Sequence, residues 1–204
     1  MIKYNIMEKN HLFRVKSGDG NEKNTQTGKN SHMNQQEDKR APEKKHAAVC
    51  GLYCEACSIY IATHEDPARL KKLAESFKIT EKEARCHGCR SAKRLPYCAD
   101  CRMFACAAQK GIDFCSLCDE YPCNELKRFK SERPHRIELW ENLDRIRVAG
   151  YQQWLKEMRQ HYACPACRTL NSAYDAKCRK CGKEPSCEYV AKHRDTIDSF
   201  FTLK

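Results

Sequence analysis

The chain is 204 residues long, 41% hydrophobic and 32% charged, with 38 Lys and Arg against 27 Asp and Glu and a formal charge of +11. Such a length accommodates one or two small domains, the modest apolar content excludes a large greasy core, and no stretch reaches the roughly 18 apolar residues of a membrane-spanning helix. Against this background the 16 cysteines stand out, close to the density that marks a disulfide or metal scaffold.

No apolar leader follows the opening MIKYNIMEKNHLFRVKSGDG, so a cytoplasmic location is expected. In a reducing compartment, C-x-x-C pairs signify metal or thiol catalysis rather than structural disulfides. Metal also discounts the charge, since sixteen ligating thiolates and four dications would bring +11 down to about +3.

Residues 1–46 are rich in Lys, Asn, Gln, Glu, Gly and Ser without sustained periodicity, the composition of a disordered tail. Residues 47–131 form a cysteine-rich metal-binding domain. Within it, Asp66 before Pro67 is an N-cap followed by proline at the first helical position, and Leu70, Leu73, Ala74 and Phe77 follow at helical spacing. Thr80 and Glu83 make a capping box for a short second helix that delivers Cys86. From Cys86 to Cys123 the apolar supply is too small to fold 38 residues unaided, so a staple is required. A structural zinc supplies an apparent ~10–16 kcal/mol.

Residues 132–162 read as a helical hairpin. Ile137, Trp140, Leu143 and Val148 mark one stripe, Gly150 ends it, and Tyr151, Trp154, Leu155, Met158 and Tyr162 mark the second. Residues 163–204 combine a zinc ribbon with a final helix. In ACPACRTLNSAYDAKCRKCG, Cys164 and Cys167 precede Cys178 and Cys181 by ten residues, the spacing of two knuckles closed by a β-hairpin around a tetrahedral ion. The last helix places Tyr189, Val190, His193, Ile197 and Phe201 on one side, with His193 read as packing rather than ligating.

Eleven further cysteines lie in the body. Cys98, Cys101 and Cys106 recur seventeen residues later as Cys115, Cys118 and Cys123, with matching aromatics at Tyr97/Phe114 and Phe104/Tyr121. The simplest partition gives one ion to Cys86, Cys89, Cys98 and Cys101, and a second to Cys106, Cys115, Cys118 and Cys123, because it needs no long-range closure. The repeat offers a rival, in which each three-cysteine phrase recruits Cys86 or Cys89. Cys50, Cys54 and Cys57 remain, in a C-x3-C-x2-C pattern. They would bind zinc with His64, His87 or Cys187, or hold an iron–sulfur cluster. Radical S-adenosylmethionine enzymes use this spacing, but they need a large partial barrel and place an aromatic where this chain has Ala56. A thioredoxin-like dithiol would want a βαβ setting, which the pattern lacks. All-cysteine sites leave no open position for catalysis, so no catalytic residue is assigned.

The phrases CGLYCEAC, CHGCR, YCADCRMFACAAQKGIDFCSLCDEYPC and the closing CPACRTLNSAYDAKCRKCG resemble a family of bacterial and archaeal cysteine-rich proteins catalogued as a domain of unknown function, here with an added C-terminal ribbon. The resemblance implies metal binding and carries no activity with it. The expected fold is a small metal-stapled α+β protein, with knuckles and ribbon joined by the helical hairpin. The expected function is a non-catalytic zinc scaffold or adaptor with three or four ions and a protein partner. Its alternatives are an iron–sulfur redox protein built on Cys50, Cys54 and Cys57, or a nucleic-acid binder using Arg90, Lys93, Arg94, Arg128, Arg133, Arg136, Arg145 and Arg147.

Overall fold

A computed structural model describes residues 43–202. The expectation of a disordered tail therefore falls, for residues 1–42, outside the described part. The turn Lys44–His46 lies within the fold, where His46 is buried against Glu55 (Nδ1–Oε1 2.9 Å) and Tyr60 (Nε2–OH 3.0 Å).

The described residues carry eight α-helices: α1 Ser58–Glu65, α2 Pro67–Phe77, α3 Glu81–Ala84, α4 Pro96–Ala99, α5 Arg102–Gln109, α6 Asn124–Ser131, α7 Leu139–His161 and α8 Glu188–Thr202. Local signals explain their ends. Asp66 accepts from Arg69 N at 2.9 Å to open α2, Pro67 costs no hydrogen bond at the first turn, and Lys78 closes the helix in a left-handed conformation (φ 56°). Thr80 and Glu83 form the expected capping box on α3. Leu70 and Ala74 of α2 bury against Ala62 and Ala84 in a satellite cluster, while Phe77 remains 47% exposed.

The α+β expectation is corrected. Among the described residues the extended pairings are two isolated bridges, Ala47 with Tyr53 and Ala163 with Leu170, and the fold is helical. The reason lies between the ribbon's knuckles, where polar side chains claim the backbone groups a hairpin would pair. Ser172 N donates to Asp175 Oδ2 (2.8 Å), Asp175 N donates to Ser172 O (3.1 Å), and Asn171 Oδ1 accepts from Arg179 N (3.0 Å).

The long α7 is broken at Gly150, whose φ of 78° and ψ of 157° belong to neither arm. A straight helix would hold residues twelve apart about 18 Å from each other. Here Trp154 Nε1 donates to Asn142 Oδ1 at 3.0 Å, and Arg145 pairs with Glu157 at 2.5 and 2.8 Å, so the arms fold back on each other as a hairpin. Its buried first stripe is Leu139, Leu143 and Ile146; of the expected stripe Leu143 is fully buried and Trp140 packs on the core, whereas Val148 is 79% exposed. The second arm buries Trp154, Leu155 and Tyr162 as the spacing predicts. These side chains share one core with Val49, Phe114, Leu126, Tyr189, Val190 and Ile197. Phe201, expected on that side, is 58% exposed.

One polar junction crosses this core. Glu138, immediately before α7, is buried and accepts from Lys192 Nζ (2.9 Å) while meeting His161 Nε2 and His193 Nε2 at 2.8 Å each. His193 packs on Tyr189 as expected (ring centroids 4.8 Å) and in addition hydrogen-bonds Glu138. Burial alone would raise the Glu138 carboxyl, but His161, Lys192 and His193 hold it at about 2. Burial likewise opposes the His161 cation, yet Glu138 and Glu188 raise it above the ordinary histidine range.

Candidate metal centres

The ribbon cysteines lie on two turns with the same backbone design. Cys164 N donates to Thr169 O (2.8 Å) and Arg168 N to Cys164 O (2.9 Å), and Cys178 N donates to Lys183 O (2.8 Å) and Gly182 N to Cys178 O (2.9 Å). The residue four positions after the first cysteine is left-handed in both, Arg168 at φ 62° and Gly182 at φ 74°. Together the knuckles bring Cys164, Cys167, Cys178 and Cys181 Sγ within 4.8 Å of one another. Cys164 and Cys181 stand 3.6 Å apart, as do Cys167 and Cys178. A tetrahedral ion with metal–sulfur bonds of about 2.3 Å demands sulfur separations of about 3.8 Å, whereas a disulfide needs about 2.05 Å. The four sulfurs therefore fit an ion and not a pair of disulfides.

The electrostatics prepare the same outcome. Burial opposes ionisation of Cys178, but the N–H groups of Cys181 and Lys180 and the thiols of Cys167 and Cys164 bring it down to about 6. Thr169, through side chain and backbone, lowers Cys167. At Cys181 the Lys183 N–H favours the thiolate, but the neighbouring sulfurs and burial outweigh it and leave that thiol at about 12. Cys167 and Cys178 are thus lowered while Cys181 is raised, a conflict that a bound dication removes.

Sequence reasoning missed Asn171. It is fully buried, donates from Nδ2 to Thr169 O (2.9 Å), Ser186 O (3.2 Å) and Cys178 Sγ (3.7 Å), and accepts from Arg179 N, so it ties the first knuckle to the second. The available signal was an amide directly after the first knuckle, within the stretch expected to be a hairpin.

The body cysteines are arranged differently. Cys54 stands at the start of a 3-10 turn and Cys57 caps α1, while Cys101 and Cys123 precede the first residues of α5 and α6. At Cys57 burial raises the thiol, while the Tyr60 and Ile59 N–H groups of α1 oppose it. Burial dominates at Cys50, and its strongest thiol neighbours are Cys89, Cys115 and Cys101. At Cys54, half-buried, they are Cys89, Cys57 and Cys86. Cys98 is pushed up to about 12 by burial and by Cys57, Cys86, Cys89 and Cys101. Cys106, Cys115, Cys118 and Cys123 line one cavity of about 60 Å³, with Lys110 Nζ 3.3 Å from Cys118 Sγ. Of the suggested fourth ligands, His64 lies against His87 (ring centroids 4.9 Å) beside Cys86, whereas Cys187 is buried in the core next to Ser186, Tyr189 and Val190.

Residues 46–128 match the family model described as Protein of unknown function (DUF3795). All eleven body cysteines fall in the DUF3795 segment, and the ribbon lies outside it. No curated protein and no solved structure matches the chain.

The basic side chains offered as a phosphate-binding face are largely engaged elsewhere. Arg136 is buried, donating to Phe129 O (2.7 Å) and Glu132 (2.8 Å). Arg128 pairs with Glu125, Arg145 with Glu157, Arg147 with Asp144 and Arg90 with Asp113. Among the described residues no helix is long and apolar enough to cross a membrane.

Proposed function

We propose that the protein is a zinc-held scaffold that presents its surface to a protein partner, with non-catalytic metal sites in the ribbon and in the DUF3795 segment. The observation that carries this reading is the ribbon tetrahedron, four sulfurs within 4.8 Å of one another on two matched knuckles. Four thiolates saturate the ion and leave no position for a water or substrate, so the metal stabilises shape and the function that remains is binding. Among the described residues only the ribbon gathers four sulfurs closely enough to hold an ion; the further ions of this reading, three or four zinc ions in total, are supported by Cys106, Cys115, Cys118 and Cys123 lining one cavity. The paired state of Arg90, Arg128, Arg145 and Arg147 argues against phosphate as the main ligand.

Elemental analysis of anaerobically purified native protein tests this. The expected result is colourless protein with three or four zinc ions per chain, one of which is lost in Cys178→Ser. Stoichiometric iron with visible thiolate-to-iron absorbance would replace the reading by an iron–sulfur protein.

A further inference from the structure

We infer that the surface formed by Arg133, His135, Tyr174 and Phe201 is where the partner docks, and that it takes a segment of a partner protein carrying an Asp or Glu side chain beside an aromatic or aliphatic one. This rests on the protein-binding scaffold proposed above and names the chemistry of its partner.

The apolar half of the surface is contiguous. Phe201 is 58% exposed, although the pattern of α8 would turn it toward the core, and Tyr174 is 36% exposed. Tyr174 meets Phe201 edge-on (ring centroids 5.8 Å), Phe201 meets Phe200 (5.5 Å), and His135 meets Tyr174 (5.6 Å). On the other side of His135, Arg136 Nη2 donates to the hydroxyl of Tyr97 (3.3 Å), a ring 62% exposed. The turn Pro134–Arg136, the stretch between the ribbon knuckles and the end of α8 thus converge from distant parts of the sequence. Aromatic rings beside an arginine are the composition of the residues that dominate protein interfaces.

The polar half follows from one tautomer. Arginine only donates, so the contact of Arg136 Nε with His135 Nε2 (3.3 Å) makes that nitrogen an acceptor and leaves the ring proton on Nδ1. Burial, with the cations of Arg136 and Arg133, brings His135 down to about 3 and keeps the ring neutral. His135 Nδ1–H therefore donates to the phenol oxygen of Tyr174 at 2.5 Å, and the phenol's own hydrogen has no acceptor among the described residues. Arg133 is the second open donor. It is exposed, lies over the Phe200 ring at 5.7 Å, and forms no ion pair among the described residues, since its neighbour Glu132 is held by Arg136 at 2.8 Å. Burial raises the Tyr174 phenol while Arg133 and Arg136 oppose it, so the guanidinium and the hydroxyl lie within electrostatic reach of each other.

This charge pattern selects the occupant. A carboxylate accepts from the phenol and the guanidinium together, and an apolar neighbour in the same segment covers Phe201. A nucleic acid would need a run of open cations along its phosphates. Here Arg136 is committed to Glu132 and Arg128 to Glu125, and one open guanidinium suits one carboxylate.

Selection from a random dodecapeptide display library on the zinc-loaded full chain, followed by titration of the enriched peptides as synthetic probes, tests the site. The expected result is that enriched sequences place Asp or Glu beside an aromatic or aliphatic residue. Arg133→Gln, Tyr174→Phe and Phe201→Ala are each expected to weaken their binding about tenfold with zinc content unchanged. Tyr174→Phe keeps the ring and removes only the hydroxyl, so its effect reads the donor rather than the packing. Replacing the acidic residue of a peptide by its amide should also cost about tenfold, and nothing further on Arg133→Gln. Enriched peptides without acidic residues, or peptides that bind the three variants as tightly as the parent, would overturn the site. So would Arg133-dependent binding of an oligothymidine in the absence of any enriched peptide. Each of these contrary outcomes leaves the zinc content as it was, whereas the scaffold reading falls on metal content alone.

Discussion

Arg168 and Gly182 occupy equivalent positions in the two ribbon knuckles, and both are left-handed. Glycine enters that region freely, whereas a side chain pays about 1 kcal/mol or more. Arg168→Gly is therefore expected to stabilise the metal-loaded protein by about 0.5–1 kcal/mol, and Gly182→Ala to destabilise it by about 1 kcal/mol. A Cβ at Gly182 would meet nothing within 4 Å, so its cost is conformational alone. Denaturant unfolding with zinc in excess measures both, and equal signs would refute the equivalence of the knuckles. Asn171 is the other residue on which the ribbon depends. Asn171→Ala strands the Arg179 N–H and the Ser186 carbonyl in a buried setting, and a loss of about 2–3 kcal/mol is expected. A loss below about 0.5 kcal/mol would show that water takes over its bonds.

At the scale of elements, the hairpin turns on Gly150 and is anchored at its ends by Glu138. The Gly150 backbone lies where only glycine is at ease, and its Cβ position is open. Gly150→Ala should cost about 1–3 kcal/mol through strain, with metal content unchanged. The Glu138 junction makes stability depend on pH with a definite sign. Glu138 is lowered to about 2, so its contribution is present above the ordinary carboxylate pKa and is lost as pH falls toward 2. His161 is raised, so its contribution is present below the ordinary histidine pKa and is lost as pH rises through the raised value. Glu138→Gln is expected to cost about 3 kcal/mol at pH 6 and distinctly less at an alkaline pH above the raised His161 value, where Lys192 remains. Unfolding of both proteins with metal bound at the two pH values checks this, and a cost independent of pH would contradict it.

Across the whole molecule, what the sequence disclosed was local. The caps at Asp66 and Thr80, the break at Gly150 and the ribbon spacing from Cys164 to Cys181 each depend on residues a few positions apart, and all are found in the structure. What it concealed was distant. Glu138 reads as a surface charge until residues 23 and 55 positions away arrive beside it. Val148 fits a helical stripe but points outward, because Leu139, Leu143 and Ile146 have the better match to a core assembled from segments as far apart as Val49 and Ile197. The expected β content failed because Asn171, Ser172 and Asp175 satisfy the inter-knuckle backbone themselves.

The core joins the body, the hairpin and α8, and burial raises the thiols of Cys50, Cys89, Cys98 and Cys115 around it, a cost that a bound ion removes. Bound metal should therefore hold the described residues as one cooperative unit. The most direct measurement is a thermal melt followed by circular dichroism before and after exhaustive chelation under reducing conditions, with zinc added back. The account predicts a single sharp transition for the loaded protein, a broad low-temperature one after chelation, and recovery on re-addition. A chelated protein that keeps the original helical signal and the original sharp midpoint would contradict it.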